Sequence, residues 1–446
     1  MQIVMAGMNF KTAPVELREQ FVMPSNDIEH MLLAMREARS CMESVIVSTC
    51  NRVEIYAVAE RAESFMQELA YRLSLYYGVE KEKFMPSFYI KEDSMAVEHL
   101  FRVTSGLDSM IVGETQILGQ VRDAFLLAQS LNATGTVFNR LFKQAVTLAK
   151  RLHTETRISA KPVSVSYAAV ELGRTLLGSL EKKRILVVGA GTMIELALKH
   201  LHAGGARSIT IANRTHERAA LLASQFTGEV CTLEEMNDRL GQFELIITAA
   251  GATRPIITAE TWRKSCQMTD RPQPQILIDL GVPRNVEPAI RQERAACLFD
   301  IDDIGAVVNQ NAADRLKEAG TIMPMIRKER EAFEQWLLEL GVTPAIQALR
   351  QKAQAIQQET MDSMIRKLPG LDERERKVID KLTKSIVNQL LRDPIQNVKE
   401  LAAAADSDEA IAGFVELFGL SDWMEHHDGA NTKKKAAEAS YKEAIA

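Results

Sequence analysis

Three stretches of this 446-residue sequence bring together residue types that can do chemistry. Cys50 closes the run Val45-Ile46-Val47-Ser48-Thr49 and is followed by Asn51-Arg52. A guanidinium two residues away favours the thiolate, which is the nucleophilic form of cysteine. Asn51 and Arg52 could hold a carbonyl oxygen or a substrate carboxylate. A single cysteine at a strand end is equally the pattern of a buried core thiol, and that reading suits Cys41, Cys231, Cys266 and Cys297. The second stretch, 106–120, reads GLDSMIVGETQILGQ. It crowds Asp108, Ser109, Glu114, Thr115, Gln116 and Gln120 into a glycine-punctuated loop of the kind that carries binding sites. Glu114-Thr115-Gln116 is also compatible with an ordinary first helical turn, where carboxylates are favoured. His99, among Val97, Leu100 and Phe101, is either a packed histidine or a proton donor.

The third stretch begins at Gly189-Ala190-Gly191, directly after the apolar run 184–188 and before a helical pattern opening with Thr192-Met193-Ile194. The first glycine permits a tight turn, and the second lets backbone approach a pyrophosphate at a helix N-terminus. Ile194 stands where the GxGxxG pattern wants a third small residue, which predicts altered helix–strand packing. A purely structural βα turn is the alternative. About 20 residues on, where an NAD enzyme carries an Asp or Glu for the ribose, the chain reads Asn213-Arg214-Thr215. No carboxylate repels a 2′-phosphate there and Arg214 can bind one, so the pattern favours NADP(H).

These residues need elements to position them. At about 150 residues per domain the length suggests about three domains. The composition, 46% hydrophobic and 25% charged, is that of a soluble globular protein. A net charge of −5 announces no nucleic-acid binder, although a local basic surface can hide in the sum. Five scattered cysteines without a CxxC pair argue against a disulfide scaffold or zinc ribbon and for reduced thiols in a cytoplasmic enzyme. No apolar run approaches the ~18 residues of a membrane span, and MQIVMAGMNFKTAP reads as a strand, not a secretory signal.

Strand signals at 3–8, 45–48, 53–59 and 86–91, with helices near 28–35, 63–77 and 94–103, give the order β-α-β-β-α-β of a ferredoxin-like α+β domain. Helical spacing fills 113–154 (Leu118, Val121, Phe125, then Phe138, Leu141, Phe142, Ala145, Leu148), broken at Gly135. A helix at 166–177 leads into α/β alternation with apolar strands at 184–188, 208–212, 245–248, 276–280 and 297–300, the pattern of a doubly wound parallel sheet. Beyond 303 only helical spacing remains, punctuated by Pro344, Pro369-Gly370 and Asp393-Pro394. Its apolar stripes exceed what a thin array can bury on itself, so it reads as an assembly domain, with a self-contained bundle as the alternative. The segment 426–446, with Lys433-Lys434-Lys435, reads as disordered.

Taken in order, Ser48-Thr49-Cys50-Asn51-Arg52, Gly106-Leu107-Asp108-Ser109 with Gly113-Glu114-Thr115-Gln116-Ile117-Leu118-Gly119-Gln120, Val163-Ser164-Val165-Ser166, Gly189-Ala190-Gly191 and Asn213-Arg214-Thr215 resemble the glutamyl-tRNA reductases over about 1–420. These are the NADPH-dependent first enzymes of the five-carbon route to 5-aminolevulinate and tetrapyrroles. The resemblance implies a catalytic, substrate-binding domain at 1–155, a Rossmann-type NADPH domain at 160–305, and a helical spine and dimerisation domain at 306–425. Cys50 would be the nucleophile that takes the glutamyl group from tRNA(Glu) as a thioester, and His99 a residue important for activity. Thr49, Asn51, Arg52, Ser109, Glu114, Thr115, Gln116 and Gln120 would surround the glutamyl group, Arg52 gripping its side-chain carboxylate by a bidentate fork. The cofactor would lie on Gly189 to Ile194 and on Asn213, Arg214 and Thr215. The implied product is glutamate-1-semialdehyde and the implied assembly a homodimer, with a glutamate-1-semialdehyde aminomutase as a further partner. Departures from the family pattern stand at Val53, Ile194 and Gly281-Val282-Pro283-Arg284-Asn285.

The chemistry agrees with what the chain lacks. A free carboxylate is a poor electrophile, and no Gly-x-x-x-x-Gly-Lys-Ser/Thr loop is present to activate one with ATP, so activation must arrive with the substrate as an ester. Two other classes share parts of the pattern. A thiol-dependent aldehyde dehydrogenase would accept free aldehydes, and an NADP-responsive regulator would bind cofactor without turnover.

Overall fold

The computed structural model describes residues 1–38, 40–156, 164–226, 228–266, 273–309, 313–402 and 407–424. Val163 and the segment 426–446 lie outside the described residues. The chain forms two compact units, Met1–Glu329 and Arg330–Ala446.

The first unit opens with β1 (Gln2–Asn9), α1 (Val15–Phe21), α2 (Ser25–Glu37), β2 (Cys41–Ser48), β3 (Arg52–Ala59), α3 (Ala62–Tyr77), α4 (Lys81–Phe84), β4 (Tyr89–Glu92) and α5 (Asp93–Thr104). The four strands pair antiparallel in the order β2-β3-β1-β4, which is the split βαβ arrangement of the ferredoxin-like expectation. Central strands β1 and β3 are buried almost end to end, whereas the edge strand β4 alternates between half-buried and exposed. Helices α6 (Gln116–Ser130) and α7 (Thr136–Glu155) follow. The apolar face of α7, from Phe138 to Leu148, is buried as its spacing predicts. Its N-terminus is capped from a distance: buried Glu43 on β2 accepts from the backbone N–H groups of Val137 (3.1 Å) and Phe138 (2.8 Å).

Helix α8 (Val165–Leu177) starts at Ser164, whose hydroxyl accepts from Tyr167 N–H. A parallel sheet follows: β5 (Arg184–Val188), α9 (Thr192–Ala203), β6 (Ser208–Ala212), α10 (His216–Phe226), β7 (Glu229–Cys231), α11 (Leu233–Arg239), β8 (Leu245–Thr248), α12 (Ala259–Cys266), β9 (Gln275–Asp279), β10 (Ala296–Phe299) and α13 (Ile301–Asn309). Its order, β10-β9-β8-β5-β6-β7, reverses direction between β5 and β8. The strands are near-continuous buried runs, as a sheet covered on both faces requires. Strand β7, three residues at the sheet edge, carries too short a pattern to be read from sequence.

The C-terminal helices correct one expectation. Pro344 does not end a helix: α14 (Ala313–Lys367) runs through it, and α15 (Glu373–Ala402) contains Pro394. A proline removes one backbone hydrogen bond and kinks a helix that packing holds on both sides. Here Val342, Ala345, Ile346 and Leu349 flank Pro344 in a buried cluster with Val398, Phe414 and Leu420. The break falls at Pro369-Gly370, as expected. The last helix, α16 (Ser407–Phe418), supplies Phe414. Along α15, Val378, Leu382, Ile386 and Leu390 leave a stripe more than half exposed. Among the described residues no helix is long and apolar enough to cross a membrane.

Candidate active site

Strands β2 and β3 meet in a two-residue turn. Thr49 N–H donates to the Arg52 carbonyl at 2.8 Å, and the Thr49 hydroxyl accepts from the N–H groups of Asn51 and Arg52, both at 3.2 Å. This threonine-stabilised turn leaves Cys50 and Asn51 at the hairpin tip, and Phe10 N–H ties the tip to the end of β1 through the Asn51 carbonyl at 3.0 Å. The segment 106–114 folds back to meet it. Gly106 has φ +74°, and a Cβ there would stand 2.5 Å from the Glu114 carbonyl oxygen, so only glycine closes this loop.

Hairpin and loop enclose a cavity of about 250 Å³. Thr49, Cys50, Asn51 and Arg52 line one side; Ser109, Glu114, Gln116 and Gln120 line another. The remaining wall comes from the parallel sheet: Gly191, Thr192 and Met193 at the start of α9, Ala249-Ala250-Gly251 after β8, and Leu280-Gly281-Val282 after β9. Three predicted groups, from Thr49 to Met193, thus share one cavity.

Beneath the hairpin lies a charged network that the sequence reading missed. Glu54, fully buried on β3, accepts from Arg52 Nη1 (2.6 Å), Tyr89 Oη (2.5 Å) and His99 Nε2 (2.9 Å) on one oxygen and from Tyr56 Oη (2.7 Å) on the other. Arg52 Nη2 donates to the Asp108 backbone carbonyl, Nη1 reaches the Asp108 carboxylate at 3.5 Å, and Lys11 binds that carboxylate at 2.6 Å. Burial alone would raise the Glu54 pKa, but the Arg52 charge and His99 outweigh it and hold the carboxyl well below the usual range. The signal was present: Val53-Glu54-Ile55-Tyr56 places an acid inside a run that is otherwise all core, and a buried charge requires a partner.

Several expectations are corrected. Arg52 does not offer a free bidentate fork, since both terminal nitrogens are already engaged by Glu54 and Asp108. Nor does it make Cys50 a resting thiolate. Burial pushes that thiol up to about 12, Glu114 adds to the rise, and Arg18 and Arg52 oppose it more weakly. His99 is absent from the cavity wall; it sits behind it on α5, bonded to Glu54 and edge-on to the Tyr89 ring. Thr115 is exposed and lies off the cavity, because the turn entering α6 carries it outward while Gln116 and Gln120 face in. Glu114 is held up to about 7 by burial, with Arg52 opposing.

A second cleft of about 270 Å³ shares Ala250 and Gly251 with the first and is lined by Gly189, Asn213, Arg214, Thr215 and Arg218. It lies outside the carboxyl ends of β5 and β8, where the strand order reverses. Gly189 has φ +119°, and a Cβ there would stand 2.6 Å from the Ala249 carbonyl oxygen; Gly191 caps α9 with open space beside it. A phosphate can therefore approach the helix N-terminus directly, and Arg214 and Arg218 stand where a 2′-phosphate needs cations. The donor set fits NADP(H). Arg218, one turn into α10, was not singled out in the sequence. Ile194 is fully buried in the sheet core and Ala190 packs against the same core, so neither side chain faces the cofactor cleft. Ile194 instead fills the helix–strand contact, its Cγ1 only 3.2 Å from where a Gly189 Cβ would stand. Ser166 fastens α8 to the same turn by donating to the Met193 carbonyl at 2.8 Å.

Comparison with known proteins agrees with this geometry. Residues 6–156 match the family model for the glutamyl-tRNA(Glu) reductase N-terminal domain, 171–307 that for shikimate/quinate 5-dehydrogenase, and 322–420 that for the glutamyl-tRNA(Glu) reductase dimerisation domain. The glutamyl-tRNA reductase of Brevibacillus brevis is 46% identical over 449 residues, covering 100% of this chain and 99% of the relative. That of Bacillus cereus is 47% identical over 420 residues, 94% of each. The solved structure of glutamyl-tRNA reductase from Methanopyrus kandleri is 30% identical and covers 94% of this chain and 99% of its own, with a TM-score of 0.50. With such identity sustained along almost its whole length, the chain belongs to the glutamyl-tRNA reductase family.

Proposed function

We propose that this chain reduces glutamyl-tRNA(Glu) to glutamate-1-semialdehyde with NADPH, through a thioester on Cys50. The observation that carries the reading is the shared cavity, in which the hairpin tip bearing Cys50 faces the wall leading to the dinucleotide cleft. The thiol is protonated at rest, so its proton leaves as sulfur attacks. The new S–C bond forms, the ester C–O bond breaks, and the departing ribose oxygen of the tRNA takes the proton. Attack by the sulfur, as it sheds its proton, on an activated ester divides one difficult reduction into two easier steps. Glu114 is the carboxylate that the α-ammonium of the glutamyl group would meet, and that ammonium favours its ionised form. Ser109, Gln116 and Gln120 offer neutral hydrogen bonds to the rest of the glutamyl group. Gly189, Gly191 and the start of α9 hold the pyrophosphate, and Asn213, Arg214, Thr215 and Arg218 the 2′-phosphate. Bound NADPH supplies the hydride. Cys50 sulfur recovers a proton as the C–S bond breaks and the aldehyde departs.

Within this reading 1–155 binds substrate, 160–305 binds NADPH, and 306–425 assembles the homodimer through the exposed stripe on α15. His99 acts on the reaction through Glu54 and Arg52. Free thiols at Cys41, Cys50, Cys231 and Cys297 suit a cytoplasmic compartment. The product carries an aldehyde beside a free amine, so direct hand-over to a glutamate-1-semialdehyde aminomutase is part of the proposal. The test is a single turnover with glutamyl-tRNA in the absence of NADPH. Free tRNA and an acyl group on Cys50 are expected, then aldehyde on adding NADPH. Aldehyde formation by Cys50→Ser at a wild-type rate would overturn it.

A further inference from the structure

Cys50 belongs to the antiparallel sheet and the cofactor wall to the parallel one, so reduction depends on how the two are held in register. Helix α1 carries charged side chains across that contact. Arg18, 1% exposed, donates to the Ala13 carbonyl at 2.9 Å and to both carboxylate oxygens of Asp302 on α13, at 2.8 and 3.2 Å. The next residue, Glu19, accepts from Arg284 Nε (3.1 Å), Nη2 (2.7 Å) and backbone N–H (3.1 Å), while Glu16 takes Arg284 Nη1 at 2.7 Å.

Arg284 stands in the loop whose Leu280, Gly281 and Val282 line the Cys50 cavity. That loop is stiff. Buried Asp279 accepts from the N–H groups of Gly281, Asn285 and Val286 at 2.7–3.0 Å, and Asn285 exchanges two hydrogen bonds with the backbone of Ala250, also in the cavity wall. A pull on Arg284 is therefore delivered to the wall that faces the nucleophile. Buried Val15, Met110 and Ile111 join the core of the parallel sheet, and Cys50 packs against it.

We infer that Arg18, Glu19 and Arg284 are positioning residues for the reduction step: with Asp302 they set the cofactor wall against the Cys50 hairpin. The inference rests on the function proposed above. Arginine–carboxylate forks fix geometry as well as proximity, and a misplacement of about 1 Å between reacting groups costs about 100-fold in rate. Acyl transfer needs only the hairpin and the 106–120 loop, so the clamp should separate the two half-reactions.

The experiment compares wild type, Arg284→Glu, Glu19→Arg, the exchanged pair and the milder Glu19→Gln. It measures acyl-enzyme formation without NADPH, NADPH affinity by fluorescence, and the single-turnover rate of NADPH oxidation by preformed acyl-enzyme. Each reversal is expected to acylate and to bind NADPH within about twofold of wild type, yet to reduce about 100-fold more slowly. Glu19→Gln should fall between, and the exchanged pair should recover at least about tenfold. Reduction by the reversals within about threefold of wild type, equal loss of acylation and reduction, or no recovery in the exchanged pair would each overturn the clamp. Failure of wild type itself to acylate would instead overturn the proposed function.

Discussion

Replacing Glu54 by glutamine tests the buried network on which the hairpin stands. The side chain keeps its shape and one acceptor oxygen, which can still face Arg52, Tyr89 and His99, while the Tyr56 hydroxyl can turn to accept from the new amide. What is lost is the charge. Arg52, 2% exposed, is left with the Asp108 carboxylate at 3.5 Å and one backbone carbonyl. Removing one partner of a buried ion pair costs about 3–5 kcal/mol, and the remaining Asp108 contact argues for the lower end, about 3 kcal/mol. At about 2–4 °C per kcal/mol for a domain of this size, thermal unfolding followed by circular dichroism at pH 7 should shift down by about 6–12 °C. The pH dependence has a defined sign. Because the folded-state pKa of Glu54 is depressed, its contribution is complete above the ordinary glutamate value of about 4.3 and is lost as pH falls below it. The gap between wild type and Glu54→Gln should therefore narrow below about pH 4. A variant within 2 °C of wild type at pH 7, or a gap that widens on acidification, would refute an ionised Glu54 compensating Arg52.

Other outcomes follow from the same geometry. Iodoacetamide should modify Cys50 more slowly than an ordinary thiol at pH 8, with a rate still rising above pH 9, because burial holds the thiol at about 12; Glu114→Gln should speed the reaction, and a plateau below pH 9 by mass spectrometry would contradict this. Arg214→Ala and Arg218→Ala should each raise KM for NADPH by about 5–30-fold, or about 1–2 kcal/mol for a charge-assisted contact on exposed side chains, while KM for NADH moves less than about twofold in steady-state kinetics. Ile386→Asp with Leu390→Asp should yield monomers by light scattering at micromolar concentration, since the exposed stripe on α15 would then bury charge at an interface; a persisting dimer would assign assembly to another surface.

Local sequence determined a good deal of this protein. Gly189-Ala190-Gly191 after a buried run could only be a βα turn at the mouth of a parallel sheet, and Thr49 to Arg52 between two β-branched runs is short enough to be a hairpin tip. Both follow from backbone sterics and side-chain period, which act over a few residues. The same locality explains the misreadings. Arg52 looked free because the Asp108 carbonyl meets it only when β3 lies beside the 106–114 loop, and because Glu54, on the same face of β3 two residues on, holds it as a buried pair only once that strand is covered. His99 was ambiguous because its role depends on the strand it packs against, not on its own helix. Pro344 looked like a stop because the cluster that packs around α14 on both sides of it includes Val398, Phe414 and Leu420, more than fifty positions downstream. The reactivity of Cys50 was least legible of all. Nearby charge is visible in sequence, but desolvation is a property of the assembled interior, and here it outweighs Arg52. Residue types and short spacings announced the chemistry; burial and long-range pairing decided which groups carry charge and which face the cavity.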